Sequence, residues 1–211
     1  MKFNEIDKHW QKVFELGWQS FREGNLPIAA IIVDDAGNIL SEGRNYYVSS
    51  KRFPNCKVDH AETACIQQLD IVKYPDLSSY TLYTSMEPCP MCIGTIIMSN
   101  LKRVKVASRD AWAGASDICL KNNYAQKKAV TVEFADDFLA NIQIALQGCV
   151  ELKYNGTSSE VYKSFMEMYP LGASAAYKLY TEKTTDKFVA ENTPFPEVFD
   201  SVSELIESIH E

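Results

Sequence analysis

Apolar positions recur along the chain with two periods, and the changes between them mark out its elements. From Ile6 to Phe21, the residues Val13, Phe14, Leu16, Gly17, Trp18 and Phe21 fall at helical spacing, and Glu23-Gly24-Asn25 supplies a stop and a turn. Pro27 then opens the apolar run Ile28 to Val33, which predicts a buried strand. Residues 34–38 form a hairpin-type turn, and Ile39 to Arg44 predicts the returning strand. Asn45 to Asp59 has no clear period and holds Pro54, so it predicts a loop. Ala61 to Val72 is helical in composition, with Ala64, Cys65, Leu69 and Val72 available for one buried face.

Short β-rich runs follow at Tyr80 to Ser85, Arg103 to Ala107 and Val130 to Phe134. Between them, Pro90 to Asn100 is apolar nearly all round, as a buried helix is, and Arg109 to Asn123 is irregular. Asp136 to Tyr154 predicts a long helix. Strands separated by helical segments predict a layered α/β domain. The turn-and-cap cluster Asn155 to Ser159 places a boundary there, giving an α/β domain over 1–154 and a mainly helical extension over 155–211. Within the extension, Val161, Tyr162, Phe165, Met166 and Tyr169 form one apolar segment. Val198, Phe199, Val202, Leu205, Ile206 and Ile209 form another, with Pro194 and Pro196 between the two.

Composition narrows the classes. At 211 residues and 46% apolar content the chain can bury a real core, which excludes disorder for most of its length. Its longest apolar run is far short of the ~20 residues of a membrane span. Residues Met1 to Trp10 carry two acids and no apolar run, so they do not read as a secretory signal, and the expected location is the cytoplasm. The net charge of −7 is uneven: Asn155 to Glu211 holds ten acids and four bases, while the first 154 residues are close to neutral. With no basic tail or helix to neutralise phosphates, the charge pattern disfavours a nucleic-acid partner. Six cysteines without a secretory signal point to metal ligands or redox groups rather than a disulfide framework.

Two stretches carry the candidate chemistry: His60-Ala61-Glu62 and Pro88-Cys89-Pro90-Met91-Cys92. Alone, Cys89-x-x-Cys92 reads as two buried cysteines in a helix or, less well because it follows the third strand rather than an early one, as a redox pair, and His60 as a satisfied polar residue. Together they form a different pattern. Cysteines three apart at a helix start project from one face, and the positive helix end favours thiolates. With His60 they make three ligands and an open position, the arrangement of a catalytic zinc site rather than a closed structural one. Glu62, two residues from the histidine, can move protons for a zinc-activated water without ligating the metal. This H-x-E followed by P-C-x-x-C is the signature of zinc nucleobase deaminases.

With these motifs, residues 26–33, Gly43-Arg44-Asn45, Thr81 to Thr84, Met86 to Cys92 and Ser108 to Ala111 resemble the cytidine and deoxycytidylate deaminase superfamily. Their order and spacing are similar to its branch of tRNA adenosine deaminases, guanine deaminases and fungal-type cytosine deaminases, over roughly residues 5–154. The resemblance implies a three-layer α/β/α fold with a five-stranded mixed sheet, a homodimer, and one zinc ion per chain on His60, Cys89 and Cys92. It implies Glu62 as catalytic proton shuttle, with Asn45 and Asp110 as substrate-binding residues. The implied activity is hydrolytic release of ammonia from a free nucleobase or nucleoside. Deamination of a tRNA wobble adenosine is the alternative within the family, and an inactive zinc module serving an assembly is the alternative outside it. The end of the last domain helix, Gln147 to Tyr154, holds one base where tRNA-editing relatives carry an arginine cluster. Trp112 follows Ala111 and reads either as a stacking surface for a ring or as a packing residue.

Overall fold

The computed structural model describes residues 1–50 and 56–210. Helix α1 (Lys8–Arg22) leads into a hairpin of β1 (Ala29–Val33) and β2 (Ile39–Arg44), followed by α2 (Ala61–Gln68). Strand β3 (Thr81–Met86), helix α3 (Pro90–Ser99) and strand β4 (Arg103–Ser108) come next. Two short helices, α4 (Ile118–Lys121) and α5 (Asn123–Lys128), precede β5 (Thr131–Phe134) and the long α6 (Asp137–Asn155). The chain ends in α7 (Glu160–Met168), α8 (Pro170–Thr181), α9 (Thr184–Ala190) and α10 (Phe195–His210).

The five strands lie in the order β2-β1-β3-β4-β5. β1 is antiparallel to both β2 and β3, whereas β3, β4 and β5 run parallel, so the sheet is mixed. Every residue of β1 is buried, because the strand sits between two helical layers. Its alternation divides the core: Ala29, Ile31 and Val33 join α1 and α6 on one face, while Ala30 and Ile32 join α2 and α3 on the other. The result is the expected three-layer α/β/α arrangement. Gly43 on β2 brings α2 against the sheet, since a Cβ there would strike the Ala61 carbonyl and the Cys65 backbone.

Several boundaries differ from the sequence pattern. The helix expected to reach Val72 stops at Gln68, because Leu69 turns extended and the Asp70 carboxylate accepts from the Val72 and Lys73 N–H groups. Val72 is consequently 90% exposed rather than part of a buried face. Met98 on α3 is also exposed, so that helix is not apolar-packed all round. The irregular stretch before β5 contains α4 and the start of α5, whose N-cap Asn122 accepts from the Tyr124 and Ala125 N–H groups. The described parts of the loop predicted over 45–59 hold neither helix nor strand; Pro54 lies outside the described residues.

Helix α6 ends at Asn155, where Gly156 adopts φ 69°. The two apolar segments expected beyond it become four helices. Pro170 opens α8 at a first-turn position, and Pro196 lies inside the first turn of α10. Phe165, Ala173, Ala176, Val198 and Phe199 from these helices share one apolar cluster with Phe14 of α1 and Ile142 of α6. Phe199 packs edge-on against both Phe3 and Phe14. Among the described residues no helix is long and apolar enough to cross a membrane.

Candidate active site

The reactive side chains sit at the starts of two helices. His60 is the N-cap residue of α2, and its ring takes no part in capping. Glu62 lies in the first turn of the same helix and is 3% exposed. Cys89 caps α3, Pro90 fills the following position where no N–H is required, and Cys92 completes the turn. Because α3 follows β3 directly, the sheet sets both cysteines opposite the start of α2. His60 Nδ1 lies 3.6 Å from Cys89 Sγ and 3.5 Å from Cys92 Sγ.

These separations fit zinc. Tetrahedral ligands with Zn–N of about 2.0 Å and Zn–S of about 2.3 Å stand roughly 3.6 Å from each other. His60, Cys89 and Cys92 have their ligand atoms within 4.8 Å of one another, and among the described residues they alone form such a group. The donor chemistry agrees. The hydrogen bond from Cys92, then that with His60, lowers the Cys89 thiol to about 4 despite desolvation. The Cys92 thiol is pushed up, first by Cys89 and then by burial. The same Cys89 contact raises His60. Metal binding takes the thiolate and neutral imidazole forms, so it releases the protons these ligands still hold.

Glu62 stands beside this cluster without belonging to it. Its Oε2 is 3.3 Å from Cys92 Sγ. Burial raises its carboxyl above the ordinary range, more than its hydrogen bonds and the nearby His60 lower it. A carboxyl poised in this way can take up a proton and return it.

A cavity of about 240 Å³ opens in front of these groups. Asn45, directly after β2, is 2% exposed and lines it. The Asn45 Oδ1 accepts the Tyr47 N–H at 3.0 Å. Asp110 also lines the cavity, and burial raises its carboxyl. One of its oxygens accepts the Trp112 and Ala113 N–H groups at 3.0 and 2.9 Å, so Asp110 also shapes the loop. Trp112 lines the cavity too and is 60% exposed, which removes the packing interpretation of that ring.

Other parts of the wall were not apparent in the sequence pattern. Glu87 is buried, accepts the N–H groups of Asp110 and Ser116 at 3.2 Å each, and also accepts the Ser116 hydroxyl. It fastens the 110–116 loop at the cavity. A Cβ on Gly114 would meet Glu87 Oε2 at 2.5 Å, so glycine permits that close approach. Gln147 and Glu151 reach the cavity from α6, and Val161 reaches it from α7. The available signal was two polar side chains four residues apart on an otherwise buried helix.

Residues 4–108 match the family described as the cytidine and deoxycytidylate deaminase zinc-binding region, and the chain belongs to that family. It is 33% identical to a tRNA-specific adenosine deaminase of Buchnera aphidicola, over 61% of this chain and 78% of that one. The tRNA-specific adenosine deaminase of Haemophilus influenzae is 34% identical over 52% of this chain; only 61% of that enzyme's length is spanned. Further relatives carry the names cytosine deaminase and guanine deaminase. A solved structure from work on A-to-I editing by tRNA:A34 deaminases superposes with a TM-score of 0.50 at 23% identity, covering 60% of this chain and 97% of that one. That superposition places the α/β layers in the cytidine deaminase-like fold.

Proposed function

We propose that the chain is a zinc-dependent hydrolytic deaminase that removes an exocyclic amine from a nucleobase or nucleoside. The observation that carries this is a buried, non-ligating Glu62 beside a zinc-compatible His60–Cys89–Cys92 cluster at a ring-sized cavity. Zinc held there supplies Lewis acidity that activates water near neutral pH. Glu62 would take a proton from the attacking water as the water oxygen bonds to the amine-bearing ring carbon. It would pass that proton to the ring nitrogen, take the second proton from the new hydroxyl group and give it to the departing amine, and the C–N bond would break to leave a ring carbonyl and ammonia. Asn45 offers its NH₂ to an acceptor on the ring, Trp112 offers a face for stacking, and Asp110 stands at the rim. These roles for Asn45, Trp112 and Asp110 fix ring orientation rather than the chemistry.

Ammonia release from cytosine, adenine, guanine and their nucleosides tests the reading, and the zinc-loaded protein turns over at least one of them. The Glu62→Gln variant retains zinc and loses turnover by about 10²–10⁴-fold, the usual worth of a general acid–base group. Full activity in that variant overturns the mechanism, and silence across the panel favours the inactive assembly module.

The names of the matched relatives support a second reading, deamination of wobble adenosine in tRNA. Against it stands the lining of the ring cavity, where Glu62, Glu87, Asp110 and Glu151 meet no lysine or arginine among the described residues, with Lys57 alone lining the neighbouring cleft. Inosine formed in transcribed tRNA, with binding that weakens steeply as salt rises, would select this reading.

A further inference from the structure

The cavity before Glu62 is small for a ligand site, since such sites typically occupy about 300–1,000 Å³. It does not end at the ring. Leu26, Asn45, His60 and Glu151 line it and also line a neighbouring cleft of about 710 Å³. Glu151 is therefore the charged residue at the junction of two spaces, one sized for a ring and one for what the ring carries.

The hydrogen bonds of Glu151 are one-sided. Its Oε1 accepts the Asn155 amide at 2.9 Å and the Ser159 hydroxyl. Ser159 in turn caps α7, so the corner into the C-terminal extension holds the carboxylate in place. The Oε2 has no partner among the described residues. A carboxylate oxygen accepts hydrogen bonds and donates none, so it selects hydroxyl or N–H groups. One turn earlier on α6, the Gln147 Oε1 accepts the Gln143 amide at 3.2 Å, which leaves the Gln147 NH₂ for the ring side.

Resting on the deaminase reading above, we infer that Glu151 is a substrate-binding residue for the hydroxyl groups of a sugar. The preferred substrate class is then a nucleoside over its free base. Val161 closes the ring side of the same wall. The extension thus supplies one wall of the site and fixes the group that reads the substituent on the ring.

The test uses calorimetric binding to the zinc-loaded full chain, with turnover measured in parallel. The probes are cytidine, adenosine and guanosine, each against its base and its 2′,3′-dideoxy analogue. At least one nucleoside binds about tenfold or more tighter than its base, the worth of a hydrogen bond to a charged group. The dideoxy analogue binds like the base. In Glu151→Gln the preference for nucleoside over base narrows to about twofold, because the charged contact to the sugar is weakened. A purely structural Glu151 would instead alter stability and leave selectivity intact, which overturns the inference. Bases binding as tightly as their nucleosides, dideoxy analogues binding as tightly as either, or no binding of any nucleoside overturn it in the parent protein, whether or not the variant folds. Preferential nucleoside binding without ammonia release rejects the deaminase reading and leaves the sugar subsite standing.

Discussion

At the residue scale, the six cysteines divide by environment into reactive and inert groups. Cys89 is half-buried and lowered to about 4, whereas burial pushes Cys65 and Cys149 up to about 12. The first is a ready metal ligand; the other two behave as small apolar side chains. Cys92→Ser therefore loses stoichiometric zinc, read by elemental analysis, while Cys149→Ala keeps it. The buried pair also makes a pH prediction. Their folded pKa values exceed the unfolded value of 9.0, so the fold favours the neutral thiol. Stability from this source is intact below pH 9 and falls as pH rises from 9 toward 12. At pH 10 each thiol costs about 1 kcal/mol, because unfolding releases a proton that the fold retains. Denaturant midpoints at pH 8 and pH 10 measure the drop. Replacing both thiols by alanine makes it shallower, and an unchanged drop rejects the assignment.

At the element scale, the helix starts matter more than the helix lengths. Gly43 lets α2 approach β2 closely enough to seat His60, and a methyl group there would strike the Ala61 and Cys65 backbone and the Cys65 Cβ. Gly43→Ala should cost about 1–3 kcal/mol as an overpacked contact, lowering both the melting temperature and zinc affinity. A variant with parental stability and zinc content would show that the approach is not tight. His60, Glu62, Cys89 and Cys92 were legible in the sequence because their spacing is local: one pair two positions apart, the other three positions apart. Glu87, Gln147, Glu151 and Val161 were not, because only tertiary packing brings α6, α7 and the 110–116 loop to one cavity. The same limit explains α2. Its apolar pattern continues to Val72, but a side-chain cap from Asp70 ends the helix first. Strand β1 was the clearest element, since five buried residues in a row leave no other use for the run.

At the scale of the molecule, the boundary at Asn155 separates pieces of sequence more sharply than pieces of structure. The acidic extension lays its charges outward and its apolar side chains into the cluster that already holds α1 and α6. Phe165 and Phe199 are fully buried there, and Phe199 meets rings from Phe3, Phe14 and Phe138. Gly172 of α8 lies so close to α6 that its N–H donates to the Asn141 side chain at 2.7 Å. Elements that share a core this closely should lose it together. Phe165→Ala and Phe199→Ala each remove a large ring from this shared core, at a cost of about 3–5 kcal/mol. The expected calorimetric trace keeps a single transition, displaced to lower temperature, with zinc release and loss of helicity coinciding. Zinc stabilises the whole chain in the same way, by about 4 kcal/mol at a thousandfold excess over its Kd, so chelation shifts that one transition too. A separate early melt of the extension, with zinc retained until a second step, would show two independent units. It would also leave the Glu151 wall on a part of the chain that can open without unfolding the metal centre.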